Sequence, residues 1–383
     1  MSHARQQFQG RLDRNLEAIR ERGLFRSPSQ QAPSPFCHND YLGLQRHPDL
    51  IDALCTALGA GLPTTASGSR LLSGNLSLFT EFENAFAQAA GFPSGLVLAS
   101  ASEANRVGIC AIVGRGDTAI HDALAHASLI DGIMQSGAQR RKFRHNDPED
   151  LRAQLRQSAS GLRLVVTESV FSMDGDVAPL DQILQVCNEE DALLFVDEAH
   201  AVGVFGQAAT GLAEALPHDA ALIASTHGFG KALASSGGML CTVPEVLQTI
   251  QNTSRAFIYT TAPSPLATYA ARWCWSYSRT HPERRRALER NVREMETGLL
   301  ARGLCLPGRT LHTPILPVHA NGLVRALAWS EILHKHGFPL RPIRPPSVPT
   351  GTERLRLTAS ADLTSPQIQN LLEAMDVCLS SAA

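Results

Sequence analysis

The 383-residue chain is 44% hydrophobic and 18% charged, with a formal net charge of −2. That length can bury a large core, and near-neutrality gives no electrostatic reason for nucleic acid or an anionic membrane surface as partner. No apolar run approaches the ~18 residues a bilayer crossing needs.

Residues 1–25 have a helical period and many arginines. They also carry Asp13, Glu17 and Glu21, acids that are scarce in organelle presequences, so a cytoplasmic location is expected. Ser27 to Pro35 is rich in Ser, Pro and Gln and reads as a loop. A helical stretch over Leu76–Ala90 follows, then short apolar runs at Gly95–Ala99, Thr118–Asp122, Leu162–Thr167, Ala192–Asp197, Ala221–Thr226 and Gly238–Thr242. Helical segments such as Pro148–Gln157 separate most of them. This alternation predicts an α/β fold with a mostly parallel sheet between helices, and ligands beyond the C-terminal strand ends. A polar helix is expected over His281–Arg302. Its cluster Arg284, Arg285, Arg286 and Arg290 is balanced by Glu283, Glu289, Glu294 and Glu296, and reads as a solvated face. Strands at Thr313–Val318 and Arg354–Thr358 complete a smaller α+β C-terminal domain. The expected division is 1–45 as N-terminal helix and connecting arm, 46–276 as the large domain and 277–383 as the small one.

The eight cysteines form no C-x-x-C pair, and several sit in apolar runs such as Ile109-Cys110-Ala111-Ile112. Free thiols in a reducing compartment are expected, and no metal site.

The chemistry is concentrated in two segments. One is an apolar strand ending in Asp197-Glu198-Ala199-His200; the other is the turn Gly228-Phe229-Gly230-Lys231. A turn lysine can attach covalently to the aldehyde of pyridoxal 5'-phosphate (PLP), and a strand-end carboxylate can keep its ring nitrogen protonated. Asp-Glu-Ala-His also suits an ATPase box, but that reading needs a G-x-x-x-x-G-K-[ST] loop. Ser225 and Ala232 stand where the first glycine and the hydroxyl residue belong, so the ATPase reading fails.

Further segments make the pattern specific: Asn39-Asp40-Tyr41-Leu42-Gly43-Leu44, Gly68-Ser69-Arg70-Leu71-Leu72-Ser73-Gly74-Asn75, Asp122-Ala123-Leu124-Ala125-His126 and Thr167-Glu168-Ser169-Val170-Phe171-Ser172-Met173-Asp174. In this order, from about Asn39 to Thr358, they resemble the α-oxoamine synthases. These are fold-type I PLP-dependent transferases that condense an amino acid with an acyl thioester and release carbon dioxide. The resemblance implies that Lys231 bonds the cofactor, His126 stacks on its ring, Asp197 holds the ring nitrogen and His200 the phenolic oxygen. Asn39, Ser172 and Arg356 match positions around the cofactor and the amino-acid carboxylate, which suits a guanidinium fork.

The phosphate segment departs from the family pattern. It reads Ser100-Ala101-Ser102-Glu103-Ala104-Asn105, without glycine or aromatic, and Ser100, Ala101 and Ser102 are the expected contacts. Glu103 is an unwelcome charge there if it points inward. Gly228 replaces the usual hydroxyl residue, which Thr226 or Ser225 could supply, and Phe79 stands where histidine is common. Thr260 and Thr261 match a segment that reaches a neighbouring subunit's phosphate, which implies a homodimer with shared active sites.

The run Ile343-Arg344-Pro345-Pro346-Ser347-Val348-Pro349 resembles the biotin-pathway branch, whose substrates are L-alanine and a pimeloyl thioester on acyl carrier protein or coenzyme A. Arg20, Arg22 and Arg26 are candidates for the distal carboxylate. Other amino-acid and thioester pairs, an aminotransferase, and a degenerate scaffold remain as alternatives. Retention of Lys231, Asp197, His126, His200 and Arg356 together argues against the scaffold.

Overall fold

The computed structural model describes residues 2–28, 34–158, 161–217, 220–305 and 311–381. The large sheet is built from β1 (Ser94–Leu98), β2 (Thr118–Asp122), β3 (Gln139–Phe143), β4 (Arg163–Glu168), β5 (Leu193–Asp197), β6 (Leu222–Gly228) and β7 (Gly238–Thr242). Their order is β1-β7-β6-β5-β4-β2-β3. Strands β3, β2, β4, β5 and β6 run parallel, and β7 is antiparallel to both β6 and β1. A second, antiparallel sheet, β8-β10-β9, comprises β8 (Ile315–His319), β9 (Pro342–Ile343) and β10 (Arg354–Thr358).

The central strands are apolar because both faces are covered. Leu164, Val166 and Phe195 enter a core on one side, while Val165, Leu194 and Val196 enter a core on the other. Each such side chain contributes roughly 1.5–3 kcal/mol on burial. A third core runs from Phe82 and Met239 of the large sheet region to Leu288, Leu357 and Met375 near the C-terminus, joining the two sheets' layers. The boundary expected at 276/277 falls inside the helix Pro265–Thr280.

The six expected strands of the large sheet all form, each end within two residues. The one missed is β3, Gln-Arg-Arg-Lys-Phe, an edge strand of which only Phe143 is buried. At the other margin the helix His3–Glu21 buries no residue, and Phe8, Leu12, Leu16 and Ile19 leave an exposed apolar stripe. The loop expected over Ser27–Pro35 lies outside the described residues from 29 to 33. Among the described residues no disulfide joins the cysteines. Among the described residues, no helix is long and apolar enough to cross a membrane and no cluster could hold a metal ion.

Strand register builds the site. Glu168, Asp197 and Thr226 are direct partners across β4, β5 and β6, at their C-terminal ends. They therefore form one row on one face of the sheet.

Candidate active site

Asp197 is 5% exposed, and Asn105 fixes its carboxylate. The Asn105 amide donates to Asp197 Oδ2 at 2.6 Å and to Ser128 Oγ at 2.9 Å. Its carbonyl accepts from Thr226 Oγ1 at 2.5 Å, and the Ala199 N–H donates to Asp197 Oδ1 at 2.8 Å. Ser128 lies 2.8 Å from His126 Nδ1, and its own N–H also donates to that nitrogen at 3.2 Å. With Nδ1 accepting, the ring proton of a neutral His126 sits on Nε2. One network thus orients both His126 and Asp197. Asn105, one turn inside the helix Ala101–Ile112, carried no sequence signal beyond its place in an atypical segment.

Thr226 was expected near the phosphate, in place of the hydroxyl that Gly228 lacks. Its hydroxyl is committed to Asn105, beside Asp197, and Ser225 Oγ lies 2.9 Å from His227 Nε2. A Cβ at Gly228 would meet Ala199 Cβ at 3.1 Å and Ala101 Cβ at 3.4 Å, so the glycine keeps β6 close to the helix start.

Lys231 sits in a turn held by the Phe229 N–H to Gly237 O and the Ala234 N–H to Lys231 O, with Phe229, Ala232 and Leu233 in the core. Burial pushes its amine below the usual lysine range; Asp197 and Glu168 oppose that shift, and Arg356 adds to it. Glu168 is 2% exposed and its Oε1 has no partner among the described residues. Burial, then the neighbouring Asp197, raise it well above the carboxylate range, against the opposing charge of Lys231 and the His126 N–H. Burial therefore favours the neutral carboxyl at Glu168. His200 is kept neutral by burial, with Lys231 and Arg356 adding to the effect. Tyr41 Oη, itself held protonated by burial, lies 2.7 Å from His200 Nδ1.

Arg356, from β10, donates from Nε to Ser172 O at 2.6 Å and from Nη1 to Asn39 Oδ1 at 3.0 Å. The expected trio Asn39, Ser172 and Arg356 is therefore in contact. Beside it opens a cavity of about 1000 Å3, whose wall includes Leu124, His126, Phe171, Ser172, Pro345 and Val348. Arg26 donates to Arg344 O and Pro345 O at 3.2 and 3.1 Å, next to this wall, whereas Arg20 pairs with Glu17 in its own helix.

Ser100 caps the helix Ala101–Ile112, its Oγ accepting from the Glu103 N–H at 3.0 Å. The Glu103 carboxylate turns back to the Ala99 N–H at 3.2 Å. The first N–H groups of the helix, from Ala101 and Ser102, have no intrahelical acceptor, and such groups can hold an anion. A Cβ on Gly238 would lie 2.6 Å from Ala101 N, so only glycine lets β7 pass here. Thr260 and Thr261 are exposed, and the adjoining Ala262 N–H donates to Gly68 O at 2.9 Å.

The aminotransferase class I and II family matches residues 34–375. An 8-amino-7-oxononanoate synthase of Cellvibrio japonicus is 36% identical over 95% of this chain and 93% of its own length. Another, of Methylococcus capsulatus, is 38% identical over 89% and 87%. A serine palmitoyltransferase from S. paucimobilis, solved with bound PLP, superposes with a TM-score of 0.88 at 28% identity, covering 98% of both chains. An 8-amino-7-oxononanoate synthase from Francisella tularensis superposes at 0.76 and 25% identity, covering 91% of this chain and 98% of its own. The chain is an α-oxoamine synthase of the aminotransferase class I and II family. It has the fold-type I PLP-transferase fold, and PLP is its cofactor. The residues of this α-oxoamine synthase fit that group: among the described residues the Lys231 amine makes no hydrogen bond, Glu168 Oε1 is buried without a partner, and a helix start offers open N–H groups.

Proposed function

We propose that this α-oxoamine synthase joins L-alanine to a pimeloyl thioester, giving 8-amino-7-oxononanoate, carbon dioxide and the free thiol. The observation that carries the reading is the identity of 36% and 38% to two synthases of that name over most of both chains. The apolar wall of the cavity beside Arg356 supports an acyl chain as occupant.

When bound, PLP supplies an aldehyde carbon that holds the amino acid and a protonated ring that accepts the electron pair left at its Cα. Asp197, clamped by Asn105 and the Ala199 N–H, holds the ring proton. His126 offers a flat face, and His200, neutral, offers a hydrogen bond to the phenolic oxygen. The N–H groups at Ala101 and Ser102 and the hydroxyls of Ser100 and Ser102 seat the phosphate. Arg356, braced by Ser172 and Asn39, grips the alanine carboxylate. The Lys231 amine, its proton affinity lowered by burial, takes the alanine α-proton at Nζ. A carbon–carbon bond then forms from alanine Cα to the acyl carbonyl as the carbon–sulfur bond breaks, the thiol leaving with a proton from solvent. The carboxylate departs as carbon dioxide, and the proton held at Lys231 Nζ returns to that carbon. His126 lines the cavity wall, where its ring N–H can polarise the thioester carbonyl. Arg26, beside Pro345, is the candidate for the distal carboxylate.

The working unit is a homodimer of a cytoplasmic enzyme, in which Thr260 and Thr261 reach the partner's phosphate and the exposed stripe of His3–Glu21 finds cover. Acyl carrier protein or coenzyme A delivers the chain. A panel of L-alanine, glycine and L-serine against acetyl, succinyl, pimeloyl and palmitoyl thioesters tests the assignment. Preference for any pair other than alanine and pimeloyl refutes it while leaving the family intact.

A further inference from the structure

One cluster beside the cavity is not used by this chemistry. His145, just beyond β3, lies between two carboxylates. Its Nδ1 is 2.8 Å from Asp122 Oδ1 at the end of β2, and its Nε2 is 2.6 Å from Asp176 Oδ2 in the loop after β4. Carboxylates only accept, so the imidazolium, with two N–H donors, is the state that satisfies both. The two aspartates lift His145 to about 10 against the opposing effect of burial. Asn146, at φ 52, completes the clamp. Its backbone N–H donates to Asp122 Oδ2 at 2.9 Å, and its amide to Asp176 Oδ2 at 2.7 Å and Val177 O at 3.3 Å. Phe171 packs its ring edge-on to His145, at 4.5 Å and 86°.

The far side of the same loop meets the small sheet. Ser172 O takes the Arg356 Nε–H, Asp174 takes Arg354 Nη1, and Gly175 O takes the Thr313 hydroxyl. The Phe171–Asp176 loop is thus a bridge, with one foot on His145 at the sheet end and the other on the arginines of β10. Without the cation, Asp122 and Asp176 would face each other uncompensated, and like charges at that spacing repel. The loop would shift, and Ser172 O would no longer brace Arg356.

We propose that His145 is a positioning residue for the amino-acid carboxylate, acting through the Phe171–Asp176 loop on Arg356. This rests on the reading of Arg356 as the carboxylate grip.

The test uses holoenzyme of wild type, H145Q, D176N, R356K and the double variant H145Q/R356K. L-Alanine affinity is read by titrating each holoenzyme's absorbance without acyl donor, KM is measured for each substrate, and PLP affinity is read on the apo-protein. The expected result is an L-alanine KM and dissociation constant raised about tenfold in H145Q and D176N, with thioester KM and PLP affinity within about twofold of wild type. R356K should mask the effect of H145Q, so the double variant binds alanine no worse than R356K alone. Additive losses in the double variant overturn the proposal. A rise in thioester KM alone also overturns it and makes His145 an acyl contact. A collapse of PLP affinity in both H145Q and D176N reduces the clamp to a structural brace. If wild type itself ignores L-alanine, the substrate reading fails, and the cycle is repeated with the amino acid that binds.

Discussion

Replacing Asn105 with alanine removes the hub of the proposed cofactor site, and its cost can be worked from the contacts. The variant loses one charge-assisted bond to Asp197 at 2.6 Å, leaves the Thr226 hydroxyl buried without its acceptor, and takes one donor from Ser128. A hydrogen bond to a charged group contributes about 1.5–3 kcal/mol, and an orphaned buried donor costs about 1–3 kcal/mol. Ser128 keeps His126 and adds little. The expected loss is therefore on the order of 3–5 kcal/mol, read as a fall in urea midpoint of the apo-protein at neutral pH. Adding T226V removes the orphaned hydroxyl and should restore about 1–2 kcal/mol. A loss below about 1 kcal/mol in N105A, or no recovery in the double variant, refutes the network.

K231A should abolish turnover, and borohydride reduction followed by peptide mass analysis should find PLP on the Lys231 peptide of wild type alone; an adduct elsewhere contradicts the assignment. R356K keeps the charge but loses the planar fork, so L-alanine KM should rise at least about tenfold with a smaller effect on the thioester. His145 gives a stability term with a definite sign. Its folded value is about 10 against 6.5 for an unperturbed histidine, so the contribution is full below about pH 6.5 and lost as pH rises through about 10. Asp122 and Asp176 are the charges that face it. The gap in urea midpoint between wild type and H145Q should shrink over that window, and a gap that widens refutes the linkage. E103Q should leave PLP affinity within about twofold, since the Glu103 carboxylate is turned back onto Ala99.

The legible part of the candidate site was the part that ends regular elements. Asp197 closes an apolar strand, His126 precedes a helix and Lys231 sits in a glycine turn, so composition changes abruptly at each and the ordered motifs could be matched. Asn105 and Glu168 were not read as site residues because an inward-facing polar residue looks like any other until packing shows what it meets. The misplaced role of Thr226 has the same origin. Strand alternation set which face it occupies, but Asn105, far off in sequence, took its hydroxyl. β3 escaped notice because an edge strand needs no continuous apolar run, and Arg140, Arg141 and Lys142 masked it. The His145 clamp unites the ends of β2 and β3 with the loop after β4, a juxtaposition only the sheet order creates.

The most direct test of the central claim is product analysis by mass spectrometry after incubating holoenzyme with L-alanine and a pimeloyl thioester, offered on coenzyme A and on acyl carrier protein in parallel. The account predicts 8-amino-7-oxononanoate with stoichiometric carbon dioxide and free thiol from at least one carrier. A keto acid with the cofactor left as its amine form, or no condensation from either carrier while another amino acid and thioester react, would contradict it.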